Sequence, residues 1–126
     1  FLHSDPPAAE ELAALRREAA ELLQTSSRVI AGDTTLACGG TPVTCQAMLG
    51  SPVITRADCE ELLQDLSALP LAERTAVPGL HPDRAPAIVA GLAIHLELLS
   101  AIGAHSFTVC ERDLRHGAAL ELAAAR

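Results

Sequence analysis

The chain has 126 residues, which is enough for one hydrophobic core and too few for two. Apolar residues make up 49% of the sequence and charged residues 20%, a composition typical of a globular domain and not of a disordered chain. The formal net charge of −7 argues against a nucleic-acid polymer or an anionic membrane surface as a general partner, because both require a basic face. The absence of Trp and Tyr also removes the usual side chains on which single-stranded bases stack.

No stretch of the sequence reaches the roughly 18 uncharged apolar residues that a membrane span requires. The most apolar segment, residues 85–102, is interrupted by Pro86, His95 and Glu97. The sequence begins with Phe1 instead of Met, which suggests a fragment or a trimmed form of a longer protein.

The four cysteines are Cys38, Cys45, Cys59 and Cys110, and none of them forms a C-x-x-C pair. Their spacing fits neither a zinc site nor a dense disulfide framework. We therefore expect reduced thiols that pack as small apolar groups in a cytoplasmic protein, with a disulfide or a metal as the alternatives. Cys38 and Cys110 are expected to be buried near the carboxyl ends of adjacent strands.

The first half of the chain predicts a helix, a strand and a second helix. Apolar residues recur at helical spacing over residues 7–24. A short apolar run follows at 29–31, a strand at 34–38, and a tight turn at 39–42 that leads into a helix ending near residue 49.

The second half predicts a helix that Thr55 opens with a capping-box pattern, a short helix at 70–74 and a loop at 77–82. Asp83 is expected to cap a long, almost wholly apolar helix that reaches residue 102, with Pro86 in its first turn and Gly91 allowing close approach to a neighbour. Gly103 should end this helix. A strand at 106–110 and a last helix at 114–124 complete the prediction.

Helices that alternate with short apolar strands indicate an α/β fold with parallel strands and covering helices. We expect the strands at 34–38 and 106–110 to be parallel neighbours, packed against the helix at 83–102. Two strands make a poor sheet by themselves, so further strands must come from a missing part of the domain or from another chain. A homodimer is left open.

The sequence Gly39-Gly40-Thr41 between the first strand and its helix is a candidate phosphate-binding turn. Glycines let a ligand approach the backbone, and the N–H groups of a first helical turn point towards it. The alternative is a purely structural turn. Arg115 follows the second strand, where open α/β sheets bind ligands, and it is either a phosphate contact or an ordinary exposed helix residue.

Four segments, in this order, resemble the exopolyphosphatase/guanosine-pentaphosphatase (Ppx/GppA) family. They are residues 36–41 (LACGGT), 79–85 (GLHPDRA), 88–93 (IVAGLA) and 114–117 (LRHG). The resemblance covers essentially the whole chain. It implies that residues 1–126 form the C-terminal portion of the family's second domain, which has an actin-like, ribonuclease-H-like fold.

The same resemblance implies phosphoanhydride hydrolysis of inorganic polyphosphate or guanosine pentaphosphate (pppGpp) with Mg²⁺. The substrate-binding residues would be Gly39, Gly40, Thr41 and Arg115. The chain's own upstream domain would be a partner, and the Mg²⁺ ligands would lie outside this chain. The family's Asp-x-Gly-Ser loop, catalytic Glu and Gly-Gly-Gly-Ser loop do not occur in this sequence, so no catalytic residue is assigned and the chain alone is expected to be inactive.

The sequence departs from the family pattern at two places. Asp113 stands where the family commonly has Gly, and its carboxylate is unfavourable beside a polyanion unless a metal ion bridges the two. Family members usually carry a longer loop where this chain passes directly from Gly50 to Ser51, and we expect that such a loop is missing from the sequence here, with a true deletion as the alternative. The alternative function is a non-catalytic (p)ppGpp-binding or protein-interaction module.

Arg84 is expected to cap a helix or pair with acids, and His95 to lie in the core or an interface.

Overall fold

A computed structural model of the chain describes residues 1–25 and 34–125. The predicted apolar run at 29–31 lies outside these residues. In chain order the elements are α1 (Ala9–Thr25), β1 (Leu36–Cys38), α2 (Gly40–Leu49), β2 (Val53–Thr55), α3 (Arg56–Ser67), α4 (Leu71–Arg74), a 3₁₀ turn (Pro82–Arg84), α5 (Ile88–Ile102), β3 (Ser106–Cys110) and α6 (Leu114–Ala124). None of the helices in these two ranges is both long and apolar enough to span a membrane.

The sheet of the described residues has the order β1-β3-β2. Strand β1 is parallel to β3, with Ala37 opposite Val109, which confirms the predicted parallel pair. Strand β2 is antiparallel to β3, with Ile54 opposite Phe107, so the sheet is mixed. The sequence did not predict β2, because three residues between Pro52 and a helix are too few to show an alternating pattern.

Helix α5 forms the centre of the core, as its apolar sequence predicts. Its buried side chains are Ile88, Val89, Leu92, Ala93, Leu96 and Leu99. Helices α1 and α3 pack against it, and Ala37 and Phe107 of the sheet belong to the same buried cluster. Each fully buried Leu or Ile contributes about 1.5–3 kcal/mol by removal from water, so this helix makes a large contribution to the stability of the fold.

The predicted beginning of α5 at Asp83 is wrong. Residues 82–84 form a 3₁₀ turn, and the N–H of Ala87 still bonds the Arg84 carbonyl three residues back, at 3.0 Å. The first α-helical bond of this region runs from Gly91 to Ala87, at 2.9 Å. The physical reason is that Pro86 has no N–H to continue an α-helical ladder from residue 82.

Three other helix ends that the sequence predicted are confirmed. Thr55 and Asp58 form a reciprocal capping box at the start of α3, with the Asp58 amide donating to Thr55 Oγ1 at 3.1 Å. Gly50 and Gly103 end α2 and α5 in the left-handed conformation, at φ 70° and 67°. Glycine reaches this conformation at lower cost than other residues, which explains both ends.

Buried Arg74 holds the loop before α5 in place. Its guanidinium donates to the carbonyls of Leu69 and Ala85 and pairs with the Asp5 carboxylate at 3.3 Å. Asp5 also accepts a hydrogen bond from the Leu71 amide at 2.8 Å. A single buried charge therefore ties the N-terminal segment, α4 and the residue next to Arg84 together.

Gly91 of α5 is the point where this helix meets the first turn of α2. A Cβ at residue 91 would overlap the Thr41 hydroxyl. The prediction that Gly91 permits a close approach is confirmed, and the neighbour is Thr41. The absence of a side chain at one position of α5 thus sets how near the turn at 39–41 lies to the core.

We expect Gly91→Ala to lower the free energy of unfolding by about 1–3 kcal/mol, because the new methyl group overpacks this contact. Chemical denaturation measures the loss. Thr41→Ala removes the atoms that would collide, so the double variant should recover most of it. Losses that simply add would contradict the proposed contact.

The burial of His95 predicts that the free energy of unfolding depends on pH. Its ring packs edge-on against Phe107 with 5.2 Å between centroids, and burial lowers its pKa below the ordinary value of about 6.5. Below that pH the unfolded chain binds a proton that the folded protein resists. We therefore expect stability to be complete above about pH 6.5 and to fall as the pH drops, until folded His95 is itself protonated.

Thermal unfolding between pH 7 and 5 measures this loss. His95→Gln should flatten the curve over that interval, because the titrating group is gone. The difference between the two slopes isolates the contribution of residue 95. An unchanged slope in the variant would show that another group causes the loss.

Candidate functional site

The turn at residues 39–41 joins the carboxyl end of β1 to the first turn of α2. Gly39 precedes the helix at φ 110°, a conformation that other residues rarely adopt, and no side chain caps the helix. Pro42 has no N–H, and the Val43 amide bonds the Gly39 carbonyl at 3.3 Å. The amides of Gly40 and Thr41 therefore remain as donors at this helix end.

The Arg84 guanidinium lies directly over Gly40. A Cβ at residue 40 would sit 2.5 Å from Nη1 and 2.7 Å from Cζ of Arg84. The segment that leads to Arg84 lies close to α2, because Gly79, at φ 81°, lets the chain pass directly against the backbone of Ala47 and Met48. Arg74 Nη1 donates a hydrogen bond to the Ala85 carbonyl at 3.2 Å, which fixes the chain on the C-terminal side of Arg84.

Arg84 was expected to cap a helix or pair with acids, and this prediction is wrong for the described residues. Within 1–25 and 34–125 it forms no ion pair, whereas its neighbour Asp83 lies 3.8 Å from Nδ1 of His81. Its position inside the GLHPDRA segment was the signal that sequence reasoning passed over.

Asp113 and Arg115 form an ion pair at the beginning of α6. Asp113 Oδ2 lies 2.6 Å from Arg115 Nη2 and accepts from its Nε at 2.8 Å, and the Arg115 amide donates to Oδ1. Asp113 is also the N-cap of α6, in a capping box with His116. The residue that departs from the family pattern is therefore both a helix cap and the partner of Arg115.

This geometry keeps both side chains charged. Hydrogen bonds from Arg115, and then from His116, hold the pKa of Asp113 well below its usual range. In turn the Asp113 carboxylate raises the pKa of Arg115. At neutral pH the pair is fully ionised, and an incoming anion would compete with Asp113 for the guanidinium.

A cleft of about 200 Å³ brings these groups together. It is lined by Gly39, Gly40, Val43, Arg84, Glu111, Asp113 and Arg115. Three of the four predicted binding residues, Gly39, Gly40 and Arg115, therefore share one cleft. Two guanidinium groups and two carboxylates face the same space, so its formal charge is balanced.

Thr41, the fourth predicted residue, does not line this cleft. It belongs to a neighbouring recess of about 30 Å³ together with Gly40, Thr44, Arg84, Ala87 and Ile88. Its hydroxyl is packed against Gly91 of α5. The side chain of Thr41 thus positions the turn, and only its backbone N–H remains as a donor at the helix end.

The burial predicted for two cysteines is wrong. Cys38 is exposed and Cys110 is half-buried, whereas Cys45 and Cys59 lie in the core. Ala37 and Phe107 occupy the face of the sheet that packs on α5. Because side chains alternate between faces, Cys38 and Cys110 point to the opposite face, which the described residues leave uncovered.

Comparison with known sequences identifies the family. The model of the Ppx/GppA phosphatase family matches residues 1–125. Exopolyphosphatase 2 of Mycobacterium tuberculosis is 31% identical over 140 residues, covering 97% of this chain and 44% of that protein. The chain therefore spans less than half the length of this curated relative.

Solved structures agree at the level of fold. The Aquifex aeolicus member of the Ppx/GppA family superposes with a TM-score of 0.86 at 24% identity, covering 99% of this chain and 44% of that one. An exopolyphosphatase from Cytophaga hutchinsonii superposes with a TM-score of 0.74 at 17% identity, covering 99% and 45%. The architecture is thus that of part of an actin-like, ribonuclease-H-like domain, and the chain belongs to the Ppx/GppA phosphatase family.

Proposed function

We propose that this chain is part of a phosphoanhydride hydrolase that acts on inorganic polyphosphate or pppGpp. Membership of the Ppx/GppA family supports the reaction class, and the name of the mycobacterial relative favours polyphosphate. In this proposal the described segment forms one wall of the substrate cleft and part of the domain core. Its position is the C-terminal portion of the second domain.

The convergence of Gly39, Gly40, Arg84 and Arg115 on one cleft carries the proposal. Phosphate oxygens are recognised by backbone amides at helix N-termini and by the planar fork of an arginine side chain. Arg84 supplies such a fork immediately above Gly40, without an ion-pair partner among the described residues. A phosphate group held by Arg84 would therefore lie within reach of the turn's amides.

Arg115 can contact phosphate only if it releases Asp113. Its guanidinium faces the cleft but is already bonded to Asp113. A phosphate can take over these contacts only by outcompeting the carboxylate, and Glu111 adds a second negative charge nearby. We propose that Arg84 is the primary phosphate contact and that Arg115 is a secondary one.

Mg²⁺ remains a proposal that rests on the family resemblance. Within residues 1–25 and 34–125, no group of three His, Cys, Asp or Glu side chains is arranged to hold a metal ion. Asp113, an acidic residue of the cleft, is engaged by Arg115 and His116. The described residues do not fit the metal, and we derive no step that passes through it.

The catalytic water would be activated by groups outside this segment. We propose that the chain's own upstream domain supplies the general base and the phosphate loops, and that the whole enzyme works in the cytoplasm. The 126 residues alone should release no phosphate from polyphosphate. Phosphate release by the isolated chain would mean that the catalytic centre lies within it.

A second candidate function is a non-catalytic module that binds (p)ppGpp or a partner protein. The observation that favours it is the Asp113–Arg115 pair, which balances the charge of the cleft and opposes a long polyanion. Phosphate release from polyphosphate or pppGpp by the full-length protein separates the two candidates. Binding of the nucleotide without release would favour the second.

Gly40→Ala tests the phosphate site directly. Its Cβ would displace the Arg84 guanidinium from the turn, and we expect binding of tripolyphosphate to the full-length protein to weaken at least about tenfold, the loss of one charge-assisted contact. Gly40→Val should weaken it further. Titration calorimetry measures the affinity.

Gly117→Ala is the matched control, because a Cβ at this exposed helical position meets no atom within 4 Å. It should leave the affinity unchanged. If Gly40→Ala also binds tripolyphosphate normally, residues 39–41 are a structural turn and the proposed site is wrong.

Asp113→Asn tests the competition for Arg115. Asn preserves the helix cap but removes the charge that holds the guanidinium, so we expect tripolyphosphate to bind about three- to tenfold more tightly at low salt. The gain should shrink as salt is added. Asp65→Asn removes the same charge from the exposed face of α3 and serves as the control. An equal gain in both variants would show a general charge effect instead of a local one.

A further inference from the structure

Two of the four cysteines are direct neighbours across the sheet. In the parallel pairing of β1 and β3, Cys38 stands opposite Cys110. Residues that are paired in this way project to the same face of the sheet. The chain therefore places two thiols side by side, although they are 72 positions apart in the sequence.

The spacing of the two strands suits a disulfide bond. Neighbouring strands lie about 4.7–4.9 Å apart, and the Cα atoms of disulfide-bonded cysteines are usually about 4.4–6.8 Å apart. Each cysteine is the last residue of its strand, so the ladder restrains it on one side only.

The surroundings of the two thiols differ from those of the other cysteines. Cys38 is exposed, and Cys110 is half-buried with its Sγ 3.5 Å from the Arg112 carbonyl. Cys45 and Cys59 are 1% and 0% exposed. Among the described residues, the two cysteines on the sheet are therefore open to a reagent in solution, and the two in the core are not.

The pair also borders the candidate phosphate cleft. Cys38 immediately precedes Gly39, and Cys110 immediately precedes Glu111, both of which line that cleft. A bond between the two sulfurs would tie together the strand ends that carry these residues. Neither thiol has a role in the proposed phosphate site, so the argument for the pair stands on the sheet register and exposure alone.

We propose that Cys38 and Cys110 form a redox-active dithiol site that a hydroperoxide converts into a disulfide. The exposed Cys38 sulfur attacks the peroxide, an S–O bond forms as the O–O bond breaks, and hydrogen peroxide leaves one molecule of water and a sulfenic acid. The Cys110 sulfur then displaces the hydroxyl group, which leaves as the second water. Two thiols are oxidised, one peroxide is reduced, and a dithiol reductant reverses the reaction.

Peptide mapping of the full-length protein tests the proposal. The reduced protein is treated with hydrogen peroxide, alkylated without reductant and digested with trypsin. Cleavage after arginine places Cys38 and Cys45 in residues 29–56, Cys59 in 57–74 and Cys110 in 85–112. We expect a disulfide-linked pair of the peptides 29–56 and 85–112 within one molecule, which dithiothreitol separates.

Two variants identify the cysteine within peptide 29–56. Cys38→Ser should abolish the linked pair, whereas Cys45→Ala, its matched control, should retain it. A link that persists in Cys38→Ser, a link that involves Cys59, or a bond only between separate molecules would overturn the proposal. So would the absence of any linked peptide from folded, peroxide-treated protein.

Discussion

The burial of helix α5 is the constraint on which the other described elements depend. Helices α1 and α3 pack against it, and the sheet contributes Ala37 and Phe107 to the same core. Close packing does not tolerate a shift of such a helix without a loss of contacts along its length. Thr41 packs directly against Gly91 of this helix, so the core also fixes the position of the turn at the end of β1.

Around this rigid centre, the groups of the cleft are held by local devices of different kinds. Gly40 leaves space for the Arg84 guanidinium, and buried Arg74 secures the neighbouring carbonyl of Ala85. Asp113 caps α6 and at the same time orients Arg115. The chain is acidic as a whole, so a phosphate group in the proposed site would depend on Arg84, Arg115 and the backbone amides to overcome the general repulsion.

Long elements with a clear period were predictable from the sequence, and irregular ones were not. The amphipathic pattern of α1, the capping box of α3 and the glycine ends of α2 and α5 each arise from interactions between residues close in the chain. Strand β2 instead exists because it pairs with β3, more than 50 residues further along the chain. The 3₁₀ turn before α5 does have a local cause, the two prolines Pro82 and Pro86, but an apolar helical pattern that runs through them does not reveal it.

The sequence alone determined the family resemblance, the parallel pairing of β1 and β3, and the candidates Gly39, Gly40 and Arg115, because ordered motifs and strand–turn–helix patterns are properties of contiguous residues. Only the tertiary structure decided that Arg84 lies over Gly40, that Thr41 faces α5, and that Cys38 and Cys110 occupy the uncovered face of the sheet. These features depend on contacts between residues far apart in the chain, and on which sheet face the helices cover. Neither is encoded in local periodicity.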